Sequence, residues 1–128
     1  MAYEASQINF GNLTAAADLS TKQYHFVKLA SATTVNVCDD VTDVPIGVLQ
    51  NTPASGGAAE ICLFGISKIV ADATLAAGNV IGSSADSQAQ PLTVGTETTV
   101  YTCGQAITAA AAGETSTAFI NISNGRAS

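Results

Sequence analysis

From Tyr24 onward, short runs rich in Val and Ile alternate with clusters of Gly, Pro, Asp and Asn about every ten residues, the rhythm of a β-sandwich or barrel. The pattern predicts strands near Tyr24–Ala30, Thr34–Cys38, Ile46–Gln50, Glu60–Phe64, Ser67–Ala71, Val80–Ser83, Gln105–Thr108 and Ala118–Ser123. In the last of these, Ala118, Ile120 and Ile122 fall on one face and Phe119, Asn121 and Ser123 on the other, as a half-buried strand requires. Gly65 interrupts the apolar stretch Cys62–Val70, which reads as one bent strand or two adjoining ones. Helix is expected to be minor, one or two turns at most near Thr74–Ala77 or Ala109–Ala112, because Gly113 ends the alanine run at once. The Thr-rich stretch Thr93–Cys103 gives no clear pattern.

Residues 1–22 differ from the rest. Tyr3, Ile8, Phe10 and Leu13 stand isolated among Asn, Gln, Ser and Gly, too sparse to bury a core of their own. The expectation is an extended N-terminal arm over 1–22, which frays or is ordered by a partner, followed by a single β domain over 23–128. Tyr3, Ile8, Phe10 and Leu13 are the candidate partner-binding residues.

Composition sharpens this picture. The 128 residues are 47% hydrophobic but only 5% aromatic, so the core must be built from Val, Ile, Leu and Ala. Charged residues make up only 11%, against roughly 25% in ordinary soluble domains, as suits a surface that other proteins cover. The balance is acidic, net −6, with Lys22, Lys28, Lys68 and Arg126 scattered, so no basic stripe exists to neutralise a phosphate backbone and nucleic acid is excluded as a direct ligand. No run approaches the ~18 apolar residues of a membrane span. The N-terminal residues lack a signal-peptide pattern, so synthesis is expected in the cytosol, with Cys38, Cys62 and Cys103 as reduced, buried thiols rather than a zinc site or disulfide framework.

Phosphate-loop, dinucleotide, nucleophile-elbow and zincin patterns are all missing. His25, the sole histidine, lies between aromatics in YHFVKL and reads as a partly buried strand residue; a hydrolase would need it beside an acid and a Ser, Thr or Cys in one pocket. The Asp39, Asp40 and Asp43 cluster has oxygens for calcium but lacks the spacing and glycine of a calcium loop, so a solvated acidic turn is favoured over a metal site. Paired carboxylates for glycoside hydrolysis are disfavoured by the scarcity of aromatics to line a sugar cleft. No catalytic residue, metal ligand or cofactor is nominated, and the chain is expected not to be an enzyme.

Three stretches carry a family resemblance. DLSTKQYHFVKLA (18–30) leads an Asp-Leu-Ser entry into an aromatic first strand. PIGVLQNTPASGGAAEICLFGISKIVADATLAAGNVIGSSADSQAQP (45–91) sets a small-residue turn, a strand, Gly65, a second strand and an Ala-Ala-Gly-Asn turn in order. GQAITAAAAGETSTAFINIS (104–123) closes on a strand. Together they resemble the decoration, cement or head-stabilisation proteins of tailed-bacteriophage capsids, a family formerly catalogued as a domain of unknown function. The sequence departs from that pattern at Ser87-Gln88-Ala89, where a glycine-containing turn is expected, and over Thr93–Cys103. The resemblance implies a small antiparallel β-barrel or sandwich-like (β-tulip-like) domain, commonly a homotrimer, seated on the outside of the virion and bridging the major capsid protein lattice. A host-surface or glycan-binding β module, such as a fibre tip or adhesin, is the alternative.

Overall fold

The computed structural model describes residues 2–122 and 125–127. Their nine strands are β1 (Ala5–Ala15), β2 (Phe26–Leu29), β3 (Thr34–Val37), β4 (Gly47–Leu49), β5 (Ala58–Val70), β6 (Val80–Ser83), β7 (Ala89–Pro91), β8 (Thr102–Ala106) and β9 (Thr115–Asn121). The fold is all-β, and no helix occurs among the described residues. The two segments where helical turns were expected pair with each other instead, through reciprocal backbone bonds between Leu75 and Ala110. An isolated turn of alanines has no partner for its end carbonyls, whereas a bridge satisfies both chains.

The strands join in the order β1-β3-β2-β4-β5-β9-β8-β6-β7, and an additional β1–β5 pairing closes the first five into a ring. Four neighbouring pairs in this ring are antiparallel and one, β1–β3, is parallel. This departs from the wholly antiparallel sheet expected, and arithmetic demands it: directions cannot alternate all the way round an odd-numbered ring. Beyond β5, the strands β9, β8, β6 and β7 continue the sheet, and a bridge between Ala71 and Ala89 brings β7 back to the end of β5.

Alternation along the strands explains why runs such as Phe26-Val27, Val48-Leu49 and Ile61-Cys62 carry no polar residue. Successive side chains point to opposite faces. Val27, Leu49 and Ile61 enter one core cluster with Leu13, Ala15, Leu19, Val35 and Ala59, while Phe26, Val48 and Cys62 enter another with Ile69, Leu75, Ile81, Cys103, Ala118 and Ile120. At these three pairs of residues, strands β2, β4 and β5 thus form a wall buried on both sides. Full burial of each such Leu, Ile, Val or Phe contributes about 1.5–3 kcal/mol.

Strand β5 is a single element running through Gly65, where φ is +127° and a side chain would strike the carbonyl of Ser6 and Cα of Gln7. Glycine here lets β1 lie close against β5. The expected strand Gln105–Thr108 begins earlier, as β8, and β7 was not foreseen; Ser123, the expected end of the last strand, lies outside the described residues. Ala118 and Ile120 are fully buried with Ile122 packed beside them, as the alternation predicts.

A candidate interaction face

Tyr3, Ile8, Phe10 and Leu13 do not all lie together. Within the single chain, Ala5–Ala15 is already paired along β5, although residues 5–12 remain largely exposed. Leu13 is only 6% exposed and belongs to the core inside the ring. Tyr3 is half exposed, and its backbone N–H and C=O both bond the Thr117 hydroxyl on β9. Ile8 and Phe10 face solvent, Ile8 at 61%.

Ile8 stands directly opposite Phe64 on β5, and Phe64 opposite Asn121 on β9. One step along, Ile66 stands opposite Phe119, Phe119 opposite Gln105, and Gln105 opposite Val80. Opposed residues share a face of the sheet, so these two rows form one continuous patch. Phe64, 43% exposed, packs edge-on against Phe119 with ring centroids 5.2 Å apart. Val94, 61% exposed, rims a shallow cleft of about 390 Å3 with Val80, Thr102, Gly104, Gln105, Phe119 and Asn121. None of these residues is charged. An exposed apolar patch without charge is the usual mark of a protein-binding surface.

Sequence reasoning put Phe119 on the outer face of its strand but missed Phe64. The break at Gly65 hid the parity that carries Phe64 to the same face. The signal was present in the spacing of Phe64, Ile66 and Lys68, alternate residues of one strand.

The other candidate residues prove structural. Lys28 Nζ lies 2.8 Å from both Asp39 Oδ1 and Asp43 Oδ2, so an ammonium sits among the acidic oxygens where a cation would have to bind. Burial pushes Asp43 upward, but the Lys28 ammonium and the Asp39 backbone N–H outweigh it and hold the carboxyl below its ordinary range. Asp40 is likewise lowered, by the backbone N–H and hydroxyl of Thr42. No group of His, Cys, Asp and Glu suited to a metal occurs among the described residues.

His25 does meet a hydroxyl: its Nδ1 is 2.7 Å from Ser87 Oγ, beside Asp86. Both side chains are buried, however, and the Ser87 hydroxyl donates to the Asp86 carbonyl, so the imidazole is the donor to Ser87 Oγ rather than a base for it. The backbone N–H groups of Asp86, Ser87 and Gln88 are all engaged by Ser84, leaving no donors for an oxyanion. The pair is a clasp joining the turn before β2 to the turn between β6 and β7. Burial, then the charge of Lys22, lowers the His25 pKa, with Asp86 opposing. Burial also pushes Cys38 up to about 12 and Cys62 to about 11, and raises Cys103, so all three thiols are inert.

The fold thus defines an all-β domain with a mixed, ring-closed sheet. It is similar to the crystal structure of the head fibre gp8.5 N base of bacteriophage phi29, with a TM-score of 0.67 and 16% identity over 93% of this chain and 98% of that one. No protein-family model matches the sequence, and no curated protein matches it.

Proposed function

We propose that this chain is a structural virion protein of a tailed phage that binds the outer surface of an assembled capsid and stabilises it by bridging major capsid protein subunits. The fold likeness to a phage head-fibre base over nearly the full length of both chains is the observation that supports this reading most strongly. The uncharged face of Ile8, Phe64, Phe119 and Val94 supplies a surface suited to protein partners. Residues 1–22 act as an arm that contributes Tyr3, Ile8 and Phe10 to the contact, while Leu13 anchors the arm to the core. The working unit is a homotrimer on the virion exterior. A shell repeats each contact many times, so weak individual contacts sum to a strong brace.

The test is co-sedimentation of the purified chain with assembled, empty capsids of the phage that encodes it. Wild type should pellet with the shells and raise their melting temperature. The triple variant Ile8→Ser, Phe10→Ser, Phe64→Ser, which alters exposed side chains only, should stay in the supernatant while keeping its own unfolding transition. Wild-type protein that never pellets with shells, or that binds a glycan array instead, overturns the reading.

A further inference from the structure

We propose that the outer edge of β1 pairs with the same strand of a second copy of this chain, antiparallel, about a two-fold axis through Asn9. Strand β1 lies against β5 along one edge only; β3 reaches its other edge at Thr14 and Ala15, and among the described residues no strand covers that edge over Ala5–Leu13. An unpaired edge presents backbone N–H and C=O groups to any strand that fits, and proteins normally guard it with lysine, proline or bulges. From Ala5 to Ala17 there is no charged residue and no proline. The run itself therefore carries no charge, although Glu4 precedes it and the Glu60 carboxylate on β5 accepts from Asn9 Nδ2.

The edge does carry bulges, one of the usual guards, and these restrict which strand can pair with it. Ala5 and Ile8 oppose Ile66 and Phe64, so β1 carries one extra residue at Ser6 or Gln7. Phe10 and Leu13 oppose Ile61 and Ala59, so it carries another at Gly11 or Asn12. These two extra residues of β1 lie symmetrically about Asn9, while a third irregularity, between Ile8 and Asn9, places its extra residue, Leu63, on β5. A foreign straight strand would lose register at each of the two β1 bulges, whereas a second β1 turned end for end sets bulge against bulge.

The side chains follow the same symmetry. With Asn9 on the axis, Ile8 faces the second copy's Phe10, Ser6 faces Asn12, and Ala5 faces Leu13. A β-branched residue against an aromatic is a favourable cross-strand pair, and Asn9, whose amide already bonds Gln7 and Glu60 of its own chain, stands opposite its own mate through the backbone. A two-fold contact cannot lie inside a three-fold trimer, so it joins copies from neighbouring trimers. The stretch of β1 between its bulges is short, so the contact is weak in solution and gains from repetition where copies stand close together.

Cysteine crosslinking of the full-length chain tests the register, and the native thiols are buried and silent. Opposed residues in an antiparallel pair have Cα atoms about 4.5–5.5 Å apart, within disulfide range. Asn9→Cys should therefore form a symmetric dimer under mild oxidation, on the order of tenfold faster than Ser6→Cys, whose two copies would lie roughly 20 Å apart. Mixing Ser6→Cys with Asn12→Cys should yield the mixed dimer in preference to either homodimer. Adding Ile8→Lys to Asn9→Cys should abolish the crosslink, with circular dichroism confirming that the fold persists. Asn9→Cys crosslinking no faster than Ser6→Cys, or no preference for the mixed dimer, would sink the proposal. No shell is used, so this outcome is independent of the capsid-binding experiment.

Discussion

Gly104 shows how narrowly one residue can be specified. Its φ is +144°, and a Cβ there would collide with the Phe119 carbonyl on β9. Gly104→Ala adds backbone strain to that clash, and about 3 kcal/mol of lost stability, a fall in Tm of roughly 10 °C, is expected by thermal unfolding. His25 makes a different prediction, about pH. Its folded pKa lies below the ordinary 6.5, so the unfolded chain takes up the proton first. Stability is therefore present above 6.5 and is lost as pH falls from there through the lowered folded value. Denaturant titrations between pH 7 and pH 5 should show this decline in the wild type and a flatter profile in His25→Gln. A wild-type curve as flat as the variant's would mean that the clasp does not discriminate between the two protonation states. The carboxylates of Asp40 and Asp43 act separately, at lower pH, because their own values are depressed below 3.8.

Among the strands, β2 and the loop before β4 are tied by Lys28, which bonds Asp39 and Asp43 together. Lys28→Met leaves two neighbouring carboxylates facing each other without a cation. The pair is largely solvated, so the expected cost is small, about 1 kcal/mol, but Asp43 should titrate at higher pH, measurable by carboxyl NMR. The strands themselves were largely legible in the sequence because period-2 alternation and turn residues are local signals. The run 34–38 and the run 80–83 needed nothing beyond them. The misses have physical causes. In β1, Ile8 and Phe10 alternate with Asn and Gln, but the segment is held by backbone pairing to a strand more than forty residues away, which no local pattern records. The three residues of β7 are too few to show a period. The interaction face was half visible: Ile8 and Phe10 stood out as isolated apolar residues, whereas Phe64 joins them only through cross-strand register, and Leu13 looked exposed because the core it enters is built by distant strands.

For the molecule as a whole, β5 decides how it unfolds. Its first half completes the ring with β1 and β4, its second half carries β9, and its side chains feed both core clusters. Because Phe26-Val27, Val48-Leu49 and Ile61-Cys62 are buried on both faces of the sheet, neither cluster can open without stripping apolar surface from the other. Two independently melting halves are therefore not expected, although the strand order alone would permit them. The cysteines offer a direct readout, since Cys38 ends the β3 segment, Cys62 lies in the middle of the wall and Cys103 sits on β8. Thiol labelling across a urea series, read by peptide mass, should expose all three at one midpoint that coincides with the loss of β-sheet circular dichroism. Ile61→Ala in the ring and Ile69→Ala beyond it should each shift that common midpoint, by an amount reflecting about 2–5 kcal/mol, without separating the three labelling curves. Cys103 becoming reactive well before Cys62 would show instead that the sheet beyond β5 opens on its own, and the shared wall would then be a passive surface rather than the element that couples the two cores.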